Sequence, residues 1–127
     1  MKGVKAILVN SEGKLLMQHR EDKPGFDFPN TWSLFGGAID EGETAEEAIV
    51  REIKEEIDYD VNDYKFVEEV NFPHLFSISM FIVPIDKELK DLTLREGDDF
   101  DFFTKEEVFE LKLSDVARKF LEIYYKK

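Results

Sequence analysis

Apolar residues crowd positions 4–9 and recur through 14–19, with the turn-forming Ser11-Glu12-Gly13 between them. Gly13 can take positive φ without a Cβ clash, so the two segments are expected to form a β-hairpin. Residues 21–31 carry Pro24, Gly25, Pro29 and Asn30 and read as a loop long enough to line a site. A short apolar stretch, Trp32-Ser33-Leu34-Phe35, is expected to stop at Gly36-Gly37. Residues 44–57 carry the clearest helical pattern. Thr44 and Glu47 are spaced as a capping box, and Ile49, Ile53 and Ile57 recur along one stripe. Residues 64–71 and 75–83 read as strands separated by Phe72-Pro73-His74; the second alternates Phe76, Ile78, Met80 and Ile82 with Ser77, Ser79, Phe81 and Val83. Residues 100–103 form a short strand, and Thr104 with Glu107 caps a helix expected to reach about Leu111. Ser114 caps a last helix over 115–125, with Val116, Phe120, Leu121 and Tyr124 on one face.

Strands and helices do not alternate regularly along this order. That argues against a doubly wound parallel sheet and for an α/β protein of the α+β type, a mixed sheet packed between helices. The 127 residues suit a single domain over 1–127, without internal repeats.

Composition narrows the chemistry. The absence of cysteine excludes disulfides and Cys-ligated metals. The apolar run Ala6-Ile7-Leu8-Val9 is too short for a signal core or a membrane span, so a soluble, cytoplasmic protein with no membrane partner is expected. The formal charge of −12 repels polyanions and argues against long nucleic acid as a partner. A small anionic substrate would need cations, from protein or metal, to reverse the local potential.

At about 100° of rotation per residue, Glu52, Glu55 and Glu56 share one helical face, beside the isoleucine stripe. Like charges spaced three and four residues apart repel, at roughly 0.2–0.5 kcal/mol per pair. A hard divalent cation such as Mg²⁺ or Mn²⁺ would remove that conflict. Arg51 adds a fixed positive charge able to orient a carboxylate. A solvated acidic helix face would show the same three glutamates, so the wider spacing has to decide.

Gly37 is followed after five residues by Glu43, and after seven more by Arg51-Glu52-Ile53-x-Glu55-Glu56. This run resembles the box of the Nudix hydrolase superfamily, Gly-x5-Glu-x7-Arg-Glu-U-x-Glu-Glu-x-Gly-U, where U is aliphatic. The match spans Gly37 to Tyr59 and departs at its end: Asp58 stands where the family has Gly, and Tyr59 where it has an aliphatic residue. Asp tolerates the left-handed conformation that such a Gly supplies, and Tyr59 can still pack. Gln18-His19-Arg20, Lys23-Pro24, Pro29, Trp32 and Gly36-Gly37 are similar to the approach to the box in many members. Glu96-Gly97 and Phe102-Phe103 are similar to their C-terminal part.

The resemblance implies metal-dependent hydrolysis of a diphosphate linkage in a small-molecule nucleotide or nucleoside diphosphate derivative. Glu52, Glu55 and Glu56, with the Gly36 carbonyl, would hold Mg²⁺ or Mn²⁺. Glu52 is the first choice for general base and Glu96 the alternative, with Asp98 and Asp99 behind it. Arg51 would orient Glu52, Glu43 would brace the turn into the helix, and Gly37 is structural. Arg20 and Lys23 are candidate phosphate contacts. Trp32, Phe26 and Phe28 are candidate stacking groups, with Trp32 more often core. His19 reads as structural and His74 as an exposed turn residue. The family includes many dimers, so a homodimer stays open. A ligand sensor on the same fold would ordinarily lose box carboxylates, and all are present here. An acidic interaction module would leave the spacing unexplained.

Overall fold

The first turn is closed by a side chain. In the computed structural model, which describes residues 2–20, 30–73, 76–95 and 97–126, Asn10 Oδ1 accepts the N–H groups of Glu12 and Lys14 at 3.0 and 2.9 Å. This joins β1 (Lys2–Val9) to β2 (Leu15–Arg20) as an antiparallel pair. The pairing is brief. Only Leu8 with Leu16 and Val9 with Leu15 are in register, after which the two strands diverge.

The segment after the loop fills the gap between them. β3 (Thr31–Ser33) pairs with β2, and β4 (Phe35–Ala38) pairs with β1. The apolar stretch therefore does not stop at Gly36-Gly37, as its glycines suggested. It continues as strand through Ala38, because Gly36 and Gly37 are the residues opposite Lys5 and Val4 of β1. Gly36 has φ +144, and a Cβ there would lie 2.0 Å from the Val4 carbonyl oxygen and 2.8 Å from Lys5 Cα. Here glycine permits close approach of two backbones rather than a chain break.

β6 (Phe76–Pro84) runs parallel to β1 and antiparallel to β5 (Lys65–Phe72), while β7 (Asp99–Phe103) closes on the other side of β2. Among the described residues the seven strands make one mixed sheet. Its main path is β3-β2-β1-β6-β5, with β4 on β1 and β7 on β2. β6 is central, so Ser77 through Phe81 are buried on both faces despite their alternating pattern.

The two long helices cover opposite faces. α1 (Ala45–Ile57) lays Ile49, Ile53 and Ile57 over Val4, Ala6, Leu8, Phe35 and Phe81. α3 (Asp115–Tyr125) lays Val116, Phe120 and Leu121 over Ile7, Met17, Leu34, Ile78 and Met80. Each such fully buried aliphatic or aromatic side chain contributes roughly 1.5–3 kcal/mol of transfer free energy. The mixed sheet between helices is the architecture that the order of elements predicts.

α2 (Lys105–Val108) carries the expected Thr104–Glu107 capping box but ends three residues before Leu111. The N–H groups of Glu110 and Leu111 bond back to Glu107 and Val108, a three-residue spacing that continues as turn and not as α-helix. Among the described residues no helix is long and apolar enough to cross a membrane.

Candidate active site

α1 begins where the sequence places its cap. Thr44 Oγ1 accepts the Glu47 N–H at 3.1 Å, and the Glu47 carboxylate accepts the Thr44 N–H at 2.9 Å. The helix leaves through Asp58, at φ 55 and ψ 42, whose N–H bonds the Lys54 carbonyl. Lys54 Nζ lies 3.1 Å from Asp58 and Arg95 Nη2 lies 3.5 Å from it, and these cations lower the Asp58 carboxyl below its ordinary range, Lys54 contributing most. The family's Gly position is thus held in the left-handed conformation by an Asp. Tyr59, almost fully buried, packs in the α1 core, and its hydroxyl donates to Asp86 Oδ1 at 3.0 Å.

Between these ends, Arg51 uses its whole guanidinium. Nε and Nη2 grip Glu43 as a fork, at 2.7 and 2.9 Å. Nη2 also donates to the Ala38 carbonyl at 3.0 Å, tying α1 to the end of β4. Nη1 donates to Glu52 at 3.2 Å and to Glu55 at 2.8 Å. Glu43 in turn accepts the Asp40 N–H at 2.9 Å, which closes the turn before the helix. The Arg51 fork, and secondarily the Asp40 N–H, lower the Glu43 carboxyl from 4.5 to about 2, and Glu43 raises Arg51. Planar bidentate pairing of this kind fixes orientation as well as charge.

Two carboxylates of the acidic face reach down onto the paired glycines of β4. Glu56 is fully buried, and its Oε1 accepts the Gly36 N–H at 2.9 Å. Glu52 stands directly over Gly37, where an added Cβ would lie 2.6 Å from both carboxylate oxygens. Gly37 therefore leaves the space that Glu52 occupies. Glu55 is the outermost of the three, with 57% of its side chain exposed.

The donors are all hard carboxylate oxygens beside a strand backbone, a set that suits Mg²⁺ or Mn²⁺. Among the described residues no three His, Cys, Asp or Glu side chains converge closely enough to hold an ion as they stand. Glu52 and Glu55 are turned to Arg51 Nη1, and an ion bound by both would draw them from that nitrogen while the Arg51–Glu43 fork stayed in place.

Residues beyond the helix divide into those described and those not. Arg20 ends β2, but its side chain, like all of Lys23, Phe26, Phe28, His74 and Glu96, lies outside the described residues. On either side of Glu96, the Arg95 N–H bonds the Glu56 carbonyl at 2.8 Å and the Asp98 N–H bonds the His19 carbonyl at 3.0 Å. Gly97, at φ +79, could not carry a Cβ, which would lie 2.7 Å from the His19 carbonyl oxygen. His19 Nδ1 lies 2.8 Å from Asp98 Oδ1, and its ring lies against Trp32. Trp32 also meets Phe103 edge-on and is half-buried in the α3 core. Asp99 lies at the start of β7, paired with His19. Sequence reasoning did not anticipate the Ala38 carbonyl, Asp40 or the His19–Asp98 pair. Each depends on where β4 or the segment before β7 crosses another element, which local spacing does not encode.

The sequence model of the NUDIX domain matches residues 1–123. The chain belongs to the Nudix family. An uncharacterized Nudix hydrolase of Listeria innocua is 38% identical over 117 residues, covering 87% of this chain and 68% of that protein. An RNA pyrophosphohydrolase of Gluconacetobacter diazotrophicus is 40% identical over 62 residues, covering 46% of this chain and 37% of its own length. Among solved structures, the MutT protein of Methanosarcina mazei superposes with a TM-score of 0.79 at 21% identity, covering 99% of this chain and 93% of that one. At that identity the likeness concerns the fold. Membership makes the protein a Nudix hydrolase, and the box residues Gly37, Glu43, Arg51, Glu52, Glu55 and Glu56 are those whose contacts are described above.

Proposed function

We propose that this Nudix hydrolase uses Mg²⁺ or Mn²⁺ to direct water onto a diphosphate linkage in a nucleoside triphosphate or nucleoside diphosphate derivative. The observation that carries the reading is the convergence of Glu52 and Glu56 on Gly37 and Gly36, with Arg51 locking the helix to Glu43 and Ala38. Glu52, Glu55 and Glu56, with the Gly36 carbonyl, are assigned to the metal. When bound, such an ion neutralises diphosphate oxygens and lowers the pKa of water. Glu52 is assigned the proton of the attacking water, with Glu96 as the alternative base. Arg51 holds Glu52 in position, and Glu43 holds Arg51. Arg20 and Lys23 are assigned to phosphate oxygens, which an acidic chain must otherwise repel. Free nucleotides fit the −12 charge better than long RNA does.

The test is a panel of nucleoside triphosphates, nucleoside diphosphate derivatives and 5′-triphosphorylated RNA, incubated with Mg²⁺ or Mn²⁺, with products identified by mass. Cleavage between phosphorus atoms, lost in Glu52→Gln, is the expected result. Metal-dependent ligand binding without any product across the panel would favour a sensor built on the same fold.

A further inference from the structure

Lys5 lies on β1, a strand paired with β4 on one side and β6 on the other. Its neighbours Val4 and Ala6 face α1, so Lys5 points to the opposite face, with Ile7. It is half-buried, and among the described residues no carboxylate lies within ion-pair distance of it, in a chain with 29 acidic residues. A partly desolvated cation without a counter-charge costs stability unless something else pairs with it.

Its hydrogen bond to the chain is long. Nζ lies 3.4 Å from the Leu34 carbonyl, which already accepts a shorter bond, 3.1 Å, from the buried amide of Gln18. Of its neighbours on this face, Gly3 and Ala38 keep some exposure, while Leu34, Ile78 and Met80 are buried. Gly36 is its cross-strand partner, and Gly3 with Ala38 forms the next pair on the same face. Gly36 can carry no side chain, because its Cβ would strike β1. Met80 stands opposite on β6, with Ile78 and Leu34 beside it. The part left accessible beside Lys5 is formed by the small residues Gly3 and Ala38, with Gly36 and the apolar side chains buried beneath and beside it, and such a flat patch admits the face of a heterocycle better than a tetrahedral phosphate. Gly36 is also the residue whose N–H holds Glu56, so the patch adjoins the acidic site across a single strand.

We propose that Lys5 is a specificity-determining residue that donates a hydrogen bond to the exocyclic carbonyl oxygen of a substrate nucleobase, selecting keto bases (guanine, uracil) over adenine. An ammonium only donates, so a keto oxygen accepts from it while the adenine amino group meets it donor to donor. Leaving that cation unpaired under the wrong base supplies the discrimination. The inference rests on the nucleotide reading above.

Steady-state kinetics on GTP, UTP and ATP test it, with wild type, Lys5→Met and Lys5→Gln, all checked for wild-type melting. Wild type should favour GTP and UTP through KM. Lys5→Met should raise KM for those two by roughly tenfold to a hundredfold, the worth of a hydrogen bond to a charged group, and should not raise it for ATP, which no longer leaves a cation unpaired. An equal loss on all three, or no preference in wild type, overturns the assignment. Calorimetric binding of GMP and AMP separates this failure from that of the hydrolytic reading. Lys5-dependent binding of GMP without turnover would keep the base contact and remove the hydrolysis, while equal binding of GMP and AMP would overturn the contact. If Lys5→Met melts early, Lys5→Gln decides instead: its amide donates to a keto oxygen and accepts from an adenine amino group, so the preference for GTP and UTP over ATP should collapse, and an unchanged preference overturns the assignment.

Discussion

At the scale of single residues, the site depends on contacts that can be broken one at a time. Glu43 is the anchor of Arg51, and its carboxyl is lowered from 4.5 to about 2 chiefly by the Arg51 hydrogen bond. A carboxyl whose folded pKa is depressed stabilises the fold above its unfolded pKa and loses that contribution as pH falls through the folded value. Wild type should therefore lose stability relative to Glu43→Gln between pH 4.5 and about 2. Melting temperatures of the two proteins across that range check this, and parallel curves would mean that the pair contributes nothing. Gly37 offers a second cut. Its backbone conformation is open to other residues, but a Cβ meets the Glu52 carboxylate, the movable end of a side chain. Gly37→Ala should fold and melt like wild type while turnover falls, and unchanged turnover would show that the position of Glu52 over this glycine does not matter. These contacts were only half legible in the sequence. The box spacing singled out Glu43, Arg51 and Glu52, but not the Ala38 carbonyl or the buried Glu56–Gly36 bond. Those arise from the registry of a helix on a strand, and no pattern local to either segment contains it.

At the scale of elements, the helices were the most legible because their signals are local. Thr44, Glu47 and the isoleucine stripe mark the start and buried face of α1, and Ser114 with Val116, Phe120 and Leu121 does the same for α3. The glycines of β4 misled because glycine ends strands more often than it lets two backbones approach, and only the pairing with β1 distinguishes the two cases. Similarly, α2 ended early because two turns of three-residue spacing took over after Val108. The exit of α1 is the element's most testable feature. Asp58 holds φ 55 with its N–H on Lys54 and its carboxylate near Lys54 and Arg95. A β-branched residue at positive φ is strongly disfavoured, so Asp58→Val should cost about 1–2 kcal/mol in denaturant unfolding. No loss would mean that the helix can leave by another conformation.

At the scale of the whole molecule, two helices on opposite faces of one mixed sheet leave the β1–β2 divergence as the place where chemistry gathers. β3 and β4 pass through that gap, carrying Gly36 and Gly37 beneath α1 and Leu34 beside Lys5. Under the proposed function, a metal on the carboxylate face would take the phosphates of an anionic substrate, and the Lys5 face would be left to read its base. The fold class was readable from element order, because strands that fail to alternate with helices argue against a doubly wound parallel sheet. The crossing at the gap was not, since it joins residues far apart in the chain. Metal-dependent catalysis at Glu52 is tested most directly by the dependence of nucleotide hydrolysis on Mg²⁺ concentration, in wild type and in Glu52→Gln, with thermal melting confirming that both are folded. Turnover should rise with Mg²⁺ to saturation, vanish with chelator and be absent from the variant. Turnover that persists in a folded Glu52→Gln, or that ignores the metal, would contradict it.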